Sequence, residues 1–254
     1  MPADPAFYRP SIFEPFPGLT AAESRRTGGF SPAPYASLNL GLNTSDEAGL
    51  VARNRAHFLS SLGWHPAQLA YSHQVHGAAI LTANGPVQEK GYDGLATQTP
   101  GVLLGITIAD CAPVLIYDPV QQAVAALHAG WRGTAAGIAA KGVRALQSQF
   151  GCQPENCLAY VGTCISSAAY EVSEEVAAQF PPICKSPKPG LPGKWWLDLK
   201  AANALQLQQA GLRPEHIEVS PFCTWANNDL YFSHRKEEGA TGRMLAVIGL
   251  QNEV

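Results

Sequence analysis

The stretch GITIADCAPVLIYDPVQQAVAALHAGWRG, Gly105 to Gly133, places an acid and a thiol inside one apolar run and an imidazole at the end of the next. Asp110 and Cys111 stand where the first run breaks ahead of Pro113, a residue with no N–H to give to a ladder. His128 stands directly before Ala129-Gly130. The turn around Asp118-Pro119 lies midway between Cys111 and His128, so a hairpin folded there returns His128 beside Cys111. Another donor is at hand in SHQVHG, where His73 and His76 both sit near a strand end beside a turn. Two imidazoles and a thiolate, with one coordination position left open, form the ligand set of a catalytic zinc, which activates water. Spacing alone leaves two alternatives standing. A free cysteine is commonly a small buried hydrophobe, and the same thiol and imidazoles could make a nucleophile and its base.

The elements that must position these residues can be read from periodicity and punctuation. Gly28–Tyr35 reads as a Gly/Pro-rich loop and Ser37–Leu42 as a short strand. Ser45-Asp46 then caps a helix that runs to about Leu62 and stops at Gly63. QLAYSHQVHGAAILTA is strand-like up to the turn at Asn84-Gly85-Pro86. GVLLGITIADCAPVLIYDP reads as one apolar strand interrupted at Asp110–Pro113, and AVAALHAG as the next. TAAGIAAKGVRALQSQF is a single helix ended by Gly151. CLAYVGTCI is a buried strand, SEEVAAQF a short helix capped by Ser173, and Ser186–Lys194 an exposed loop. LKAANALQLQQAG is a helix closed by Gly211, and IEVS and MLAVIGL are strands. Alternating helices and strands argue a layered α/β architecture with mixed β-sheets. With no long linker and no internal repeat, residues 1–254 are expected to form a single domain.

Composition narrows the function classes. The chain has 254 residues with a net charge of −3, and its mean hydropathy is near zero. Basic residues form no runs, so nucleic acid and anionic lipid are not expected partners. The N-terminus carries acids and prolines where a secretion signal needs a basic flank and an apolar run. No segment is long and apolar enough to span a bilayer, and a cytoplasmic location is expected. Six cysteines are too sparse for a disulfide framework. Cys152 and Cys157 in CQPENC lack a second pair at finger spacing and read as part of a loop. His57, His65 and His216 read as surface or structural histidines.

The motifs SLNLG, Asn54-Arg55, QVHG, TIADCAPVLIYDP, HAGWRGTAAGI, Tyr170–Val172 (YEV) and YFSHRKEEGATGR together resemble the YfiH family, also called laccase-domain proteins, polyphenol oxidases or peptidoglycan editing factors. The resemblance runs from about Ser37 to the C-terminus, and residues 1–27 match less well. It implies a layered α/β/β/α-type domain and a metal site built from His76, Cys111 and His128, with zinc as the metal and copper as an alternative occupant. His73, in the preceding SH, falls outside the family's ligand position. It further implies a purine nucleoside enzyme, with phosphorolysis of adenosine, inosine and methylthioadenosine and deamination of adenosine. Purine nucleosides and phosphate would then be its small-molecule partners.

Arg132 and Arg55 are candidate forks for phosphate, since guanidinium matches phosphate bidentately. Asn39 could bind a nucleoside edge, or satisfy a turn. Asp110 could orient a ligand imidazole or carry a proton. The tail motif could close the site, with Arg235 and Arg243 inside it or in surface ion pairs. One departure stands out. The family's Gly-Pro pair ahead of YEV is replaced here by Thr163-Cys164, which would alter specificity if those residues line the pocket. The main rival is a metal-free cysteine hydrolase acting on cell-wall precursors. Seven histidines and two methionines are too few for a four-copper oxidase.

Overall fold

The computed structural model describes residues 7–252; the first part of the N-terminal stretch read above, residues 1–6, and residues 253–254 lie outside the described residues. In chain order the strands are β1 (Phe7–Tyr8), β2 (Leu19–Ser24), β3 (Leu69–His73), β4 (Ile80–Thr82) and β5 (Gln88–Lys90). They continue with β6 (Gly94–Thr97), β7 (Leu103–Ile108), β8 (Ala112–Asp118), β9 (Ala123–Ala129) and β10 (Leu158–Val161). The last are β11 (Glu171–Ser173), β12 (Lys185–Pro187), β13 (Lys194–Leu197), β14 (Ile217–Val219) and β15 (Met244–Leu250). The helices are α1 (Ala48–Ser61), α2 (Trp131–Ala135), α3 (Ile138–Phe150), α4 (Glu174–Ala177) and α5 (Leu199–Gln209).

Two mixed sheets of six strands carry the structure, ordered β1-β2-β15-β7-β3-β5 and β14-β10-β8-β9-β6-β4; β11, β13 and β12 form a small third sheet. Because side chains alternate along a strand, each large sheet has two apolar faces to bury. The inner faces meet each other: Leu104, Ile106, Ala246 and Ile248 pack against Leu115, Tyr117, Val124 and Ala126. On the outer face of the first sheet, Leu103, Leu245 and Val247 take up Phe58 and Leu59 of α1. On the outer face of the second, Val114, Ile116, Ala125 and Leu127 take up Val143 and Leu146 of α3 and Leu207 of α5. The result is the expected α/β/β/α layering.

Several elements differ from the sequence reading, each for a physical reason. The run through Asp110–Pro113 is two strands in different sheets: β7 pairs with β15, while β8 pairs with β9 and β10. The polar interruption is the crossover between them. Ser37–Leu42 forms no strand, because Leu38 and Leu40 donate to two separate segments, at the carbonyls of Arg26 and Arg243. The helix expected after Gly130 divides into α2 and α3 at Gly137, which adopts φ 79°. The loop expected over Ser186–Lys194 keeps its turn, but its ends pair as β12 and β13. β2 also went unread, although it lies between β1 and β15.

A buried carboxylate ties the two large sheets together. Glu23 of β2 accepts hydrogen bonds from the Tyr160 hydroxyl of β10 and the Thr163 backbone N–H, both at 3.0 Å. Its other oxygen has no hydrogen-bond partner among the described residues. Burial pushes its pKa up to about 7, despite the hydrogen bonds from Thr163 and Tyr160 that pull the other way. A carboxyl held above its unfolded value binds more protons when folded, so its contribution is present at low pH and fades as pH rises through about 7. Glu23→Gln is therefore expected to gain stability relative to the wild type by about 1–3 kcal/mol between pH 5 and pH 8. Parallel urea denaturation of the two proteins across that range checks this, and a difference constant with pH would refute it.

Candidate metal centre

The three proposed ligands arrive from three places. Antiparallel pairing of β8 with β9 sets Ala112 opposite Ala129 and Pro113 opposite His128. Cys111 and His128 thus fall on the alternation that faces the other sheet, at the rim of the inter-sheet layer. His76 comes from the turn after β3, where it holds a left-handed φ of 59°. Together the donor atoms of His76, Cys111 and His128 lie within 4.8 Å of one another. Two metal bonds of roughly 2.0–2.3 Å reach about that far, so the donors suit one ion. His128 is buried, Cys111 half-buried and His76 exposed, so the cluster opens on one side. The space is tight behind it: a Cβ on Gly130 would stand 3.0 Å from the Cys111 sulfur and 3.1 Å from the His76 ring.

One fully buried carboxylate holds two of the three ligands. Asp93 lies 2.8 Å from His128 Nδ1 and accepts the backbone N–H groups of Val75, His76 and Gly77. Fixing Nδ1 leaves Nε2 for the cluster. Burial alone would raise Asp93, but the hydrogen bonds from His128 and the turn hold it below the usual carboxylate range. Burial would also lower His128 and raise Cys111. The Cys111 thiolate and Asp93 instead lift His128 to about 9, and the two imidazoles bring Cys111 down to about 6. Thiolate is the ligating form of cysteine.

The orienting role expected of Asp110 belongs to Asp93, whose place at the entrance to β6 is set by tertiary contact. Its only sequence signal was an acid in GYDGLAT, directly before an apolar run. Asp110 accepts instead from the hydroxyls of Thr224 and Ser233 and the backbone N–H of Arg235, pinning the tail beside Cys111. The tail then helps wall a cleft of about 490 Å³ over the cluster, which Arg132, Tyr170, His234, Arg235 and Arg243 line. Arg235 and Arg243 make no ion pair among the described residues; they donate to the backbone carbonyls of Glu171, Thr241 and Gly242. Arg132 lies over the Trp131 ring. His234, given no role in the sequence reading, sits in the same wall.

Two expected substrate residues are elsewhere. Asn39 is fully buried. Its amide donates to Thr44 and Asp46 and accepts from the N–H of Gly41 and Arg243, which uses its whole capacity. Arg55 lines an adjoining pocket rather than this cleft. Thr163 and Cys164 are buried and absent from the wall of the metal cleft, so the departure from the family turn does not touch it. His73 stands outside the cluster, 3.0 Å from the Asn43 amide through Nδ1.

A family model described as multi-copper polyphenol oxidoreductase laccase matches residues 20–251. The chain belongs to the YfiH family. Among its relatives is a protein named purine nucleoside phosphorylase YlmD from Geobacillus stearothermophilus, 39% identical and matched over 94% of this chain and 93% of that one. A purine nucleoside phosphorylase from Deinococcus radiodurans is 40% identical over 95% of this chain and 93% of its own length. The solved structure of the Geobacillus protein superposes with a TM-score of 0.90 at 36% identity, covering 97% of this chain and 99% of that one. A Bacillus licheniformis structure described as hypothetical protein YfiH gives 0.92 at 33% identity, covering 98% of both chains.

Asp93→Asn is expected to weaken metal affinity by about 10–100-fold while the chain still folds, because it removes the charge that fixes the His128 ring. Competition against a chromogenic chelator measures it, and unchanged affinity would remove Asp93 from the site. Gly133→Ala tests the support behind His76. Its new Cβ would stand 2.6 Å from the Gly77 carbonyl, and a shifted turn should show as lowered metal retention in the same assay.

Proposed function

We propose that this chain is a zinc-dependent purine nucleoside phosphorylase of the cytoplasm, acting on adenosine, inosine and methylthioadenosine and also deaminating adenosine. The observation that carries this reading is one cleft that joins a His–Cys–His donor cluster to three arginines. The names borne by its relatives point the same way.

In phosphorolysis a phosphate oxygen bonds to C1′ of the ribose as the C1′–N9 bond breaks, and the electron pair leaves with the purine. The Arg132 side chain has no hydrogen-bond or ion-pair partner among the described residues and rests only on the Trp131 ring, so its fork is free to hold phosphate. Arg235 and Arg243 add positive charge to the same wall. Asp110 and Asn39 act as positioning residues here, each accepting the backbone N–H of one of those arginines. Tyr170, which has the Arg235 guanidinium 5.2 Å from its ring centroid, and Trp131 offer aromatic faces to a purine. Zinc, when bound, supplies Lewis-acid stabilisation of developing negative charge and lowers the pKa of water for deamination. Copper can occupy the same donors, since it stands above zinc in the affinity order. Among the described residues no second donor cluster accompanies this one, so a four-copper oxidase is not proposed.

A metal-free cysteine hydrolase acting on cell-wall precursors is the second reading, favoured by the placement of the Cys111 thiol between two imidazoles. Elemental analysis and a phosphate-dependent assay with adenosine and inosine separate the two. Zinc at about one ion per chain, lost together with activity in Cys111→Ala, is the expected outcome. Active wild type without metal, still dependent on Cys111, would favour the hydrolase. Within the phosphorylase reading, Arg132→Gln should raise the KM for phosphate by about tenfold or more, and an unchanged KM would remove Arg132 from the phosphate site.

A further inference from the structure

Beside the metal cleft, on the α1 side of the first sheet, lies a second pocket of about 420 Å³. The two share Leu42, Asn43, His73, Gln74 and Thr107 in their walls, so they adjoin across a common waist. The Gln74 side chain forms that waist by donating to the Thr107 carbonyl and accepting from its N–H and hydroxyl.

The pocket contains a buried charge with no counter-charge. Arg55, on α1, is only 7% exposed. Its Nη1 donates to the Leu40 carbonyl at 2.8 Å, and its guanidinium lies 4.8 Å from the Tyr71 ring centroid. Its Nη2 is buried with no hydrogen-bond partner, and no carboxylate pairs with it among the described residues. Burial depresses its pKa, with Tyr71 pulling weakly the other way. An isolated buried cation is costly, and a bound anion is the direct remedy.

Sheet register brings further donors to the same wall. β3 and β5 run parallel with Tyr71 beside Gln88 and His73 beside Lys90, so these four side chains share one face. Glu89 also lines the pocket, although its place between Gln88 and Lys90 on β5 sets its side chain on the opposite alternation. Guanidinium, ammonium, imidazole and amide donors around one opening match an acceptor with several oxygens and more than one negative charge. The geometry points to this pocket as a binding site for a phosphate group, separate from the one proposed for Arg132. The group could be free inorganic phosphate or the phosphoryl end of a nucleotide. Phosphate binding here is measurable whether or not the metal cleft performs phosphorolysis.

The test titrates inorganic phosphate and, separately, adenosine monophosphate by calorimetry. It uses the full chain carrying Arg132→Gln, which weakens phosphate binding in the metal cleft. The same chain is then compared after adding Arg55→Met or Lys90→Glu. Lys90 is exposed on an edge strand, so its variant remains informative if loss of Arg55 impairs folding. Saturable binding is expected, weakened about tenfold by Lys90→Glu and lost with Arg55→Met. Dependence on these residues for inorganic phosphate identifies the free ion as a ligand; dependence for the monophosphate alone identifies a nucleotide. No saturable binding, or equal affinity for both ligands in folded variants, would overturn the proposal. The phosphorylase reading fails separately, by the absence of phosphate-dependent purine release in the wild type.

Discussion

The carboxylate of Asp93 is the point on which the His–Cys–His cluster turns. It is fully buried at the entrance to β6, and its acceptor capacity is spent on the His128 ring and three consecutive backbone N–H groups of the turn at Val75–Gly77. One ligand is thereby fixed by its side chain and another by its main chain. A buried carboxylate persists only when such donors surround it, so the same contacts that orient the ligands make the ion tolerable. The left-handed φ of His76 belongs to this arrangement, since the chain must bend to aim three N–H groups at one acid.

Around that anchor, the site occupies the seam where the chain passes from one sheet to the other. β7 ends in the first sheet, Asp110 and Cys111 make the crossing, and β8 begins the second. Backbone that leaves a ladder has polar groups to satisfy, and the side chains released there are free to do chemistry. Cys111 turns toward the histidines. Asp110 turns to Thr224, Ser233 and the Arg235 N–H, and so draws the distant tail over the cluster. Arg235 and Arg243 are consequently held by main-chain carbonyls rather than by carboxylates, and Arg132 rests on the Trp131 ring, so the cleft keeps its positive charge.

Much of this was legible in the residues. The pause at Asp110-Cys111, the turn at Asp118-Pro119 and His128 before a glycine specify a hairpin that pairs thiol with imidazole, because strand alternation and turn chemistry are local rules. Sheet-and-helix layering followed from period and punctuation in the same way. Long-range partnership could not be read so directly. Asp93 has no local pattern that marks it as the partner of His128, 35 residues away. Asn39 and Arg55 carry the right chemistry for ligand binding, yet their side chains face a loop junction and a neighbouring pocket. A donor's identity is a property of its residue type, but the acceptor it meets depends on which strands are set side by side. The sequence alone determined that a thiol and an imidazole would meet across a hairpin, with other histidines near a strand end; only the packing of two sheets decided which acid would hold the two imidazoles and which arginines would line the cleft.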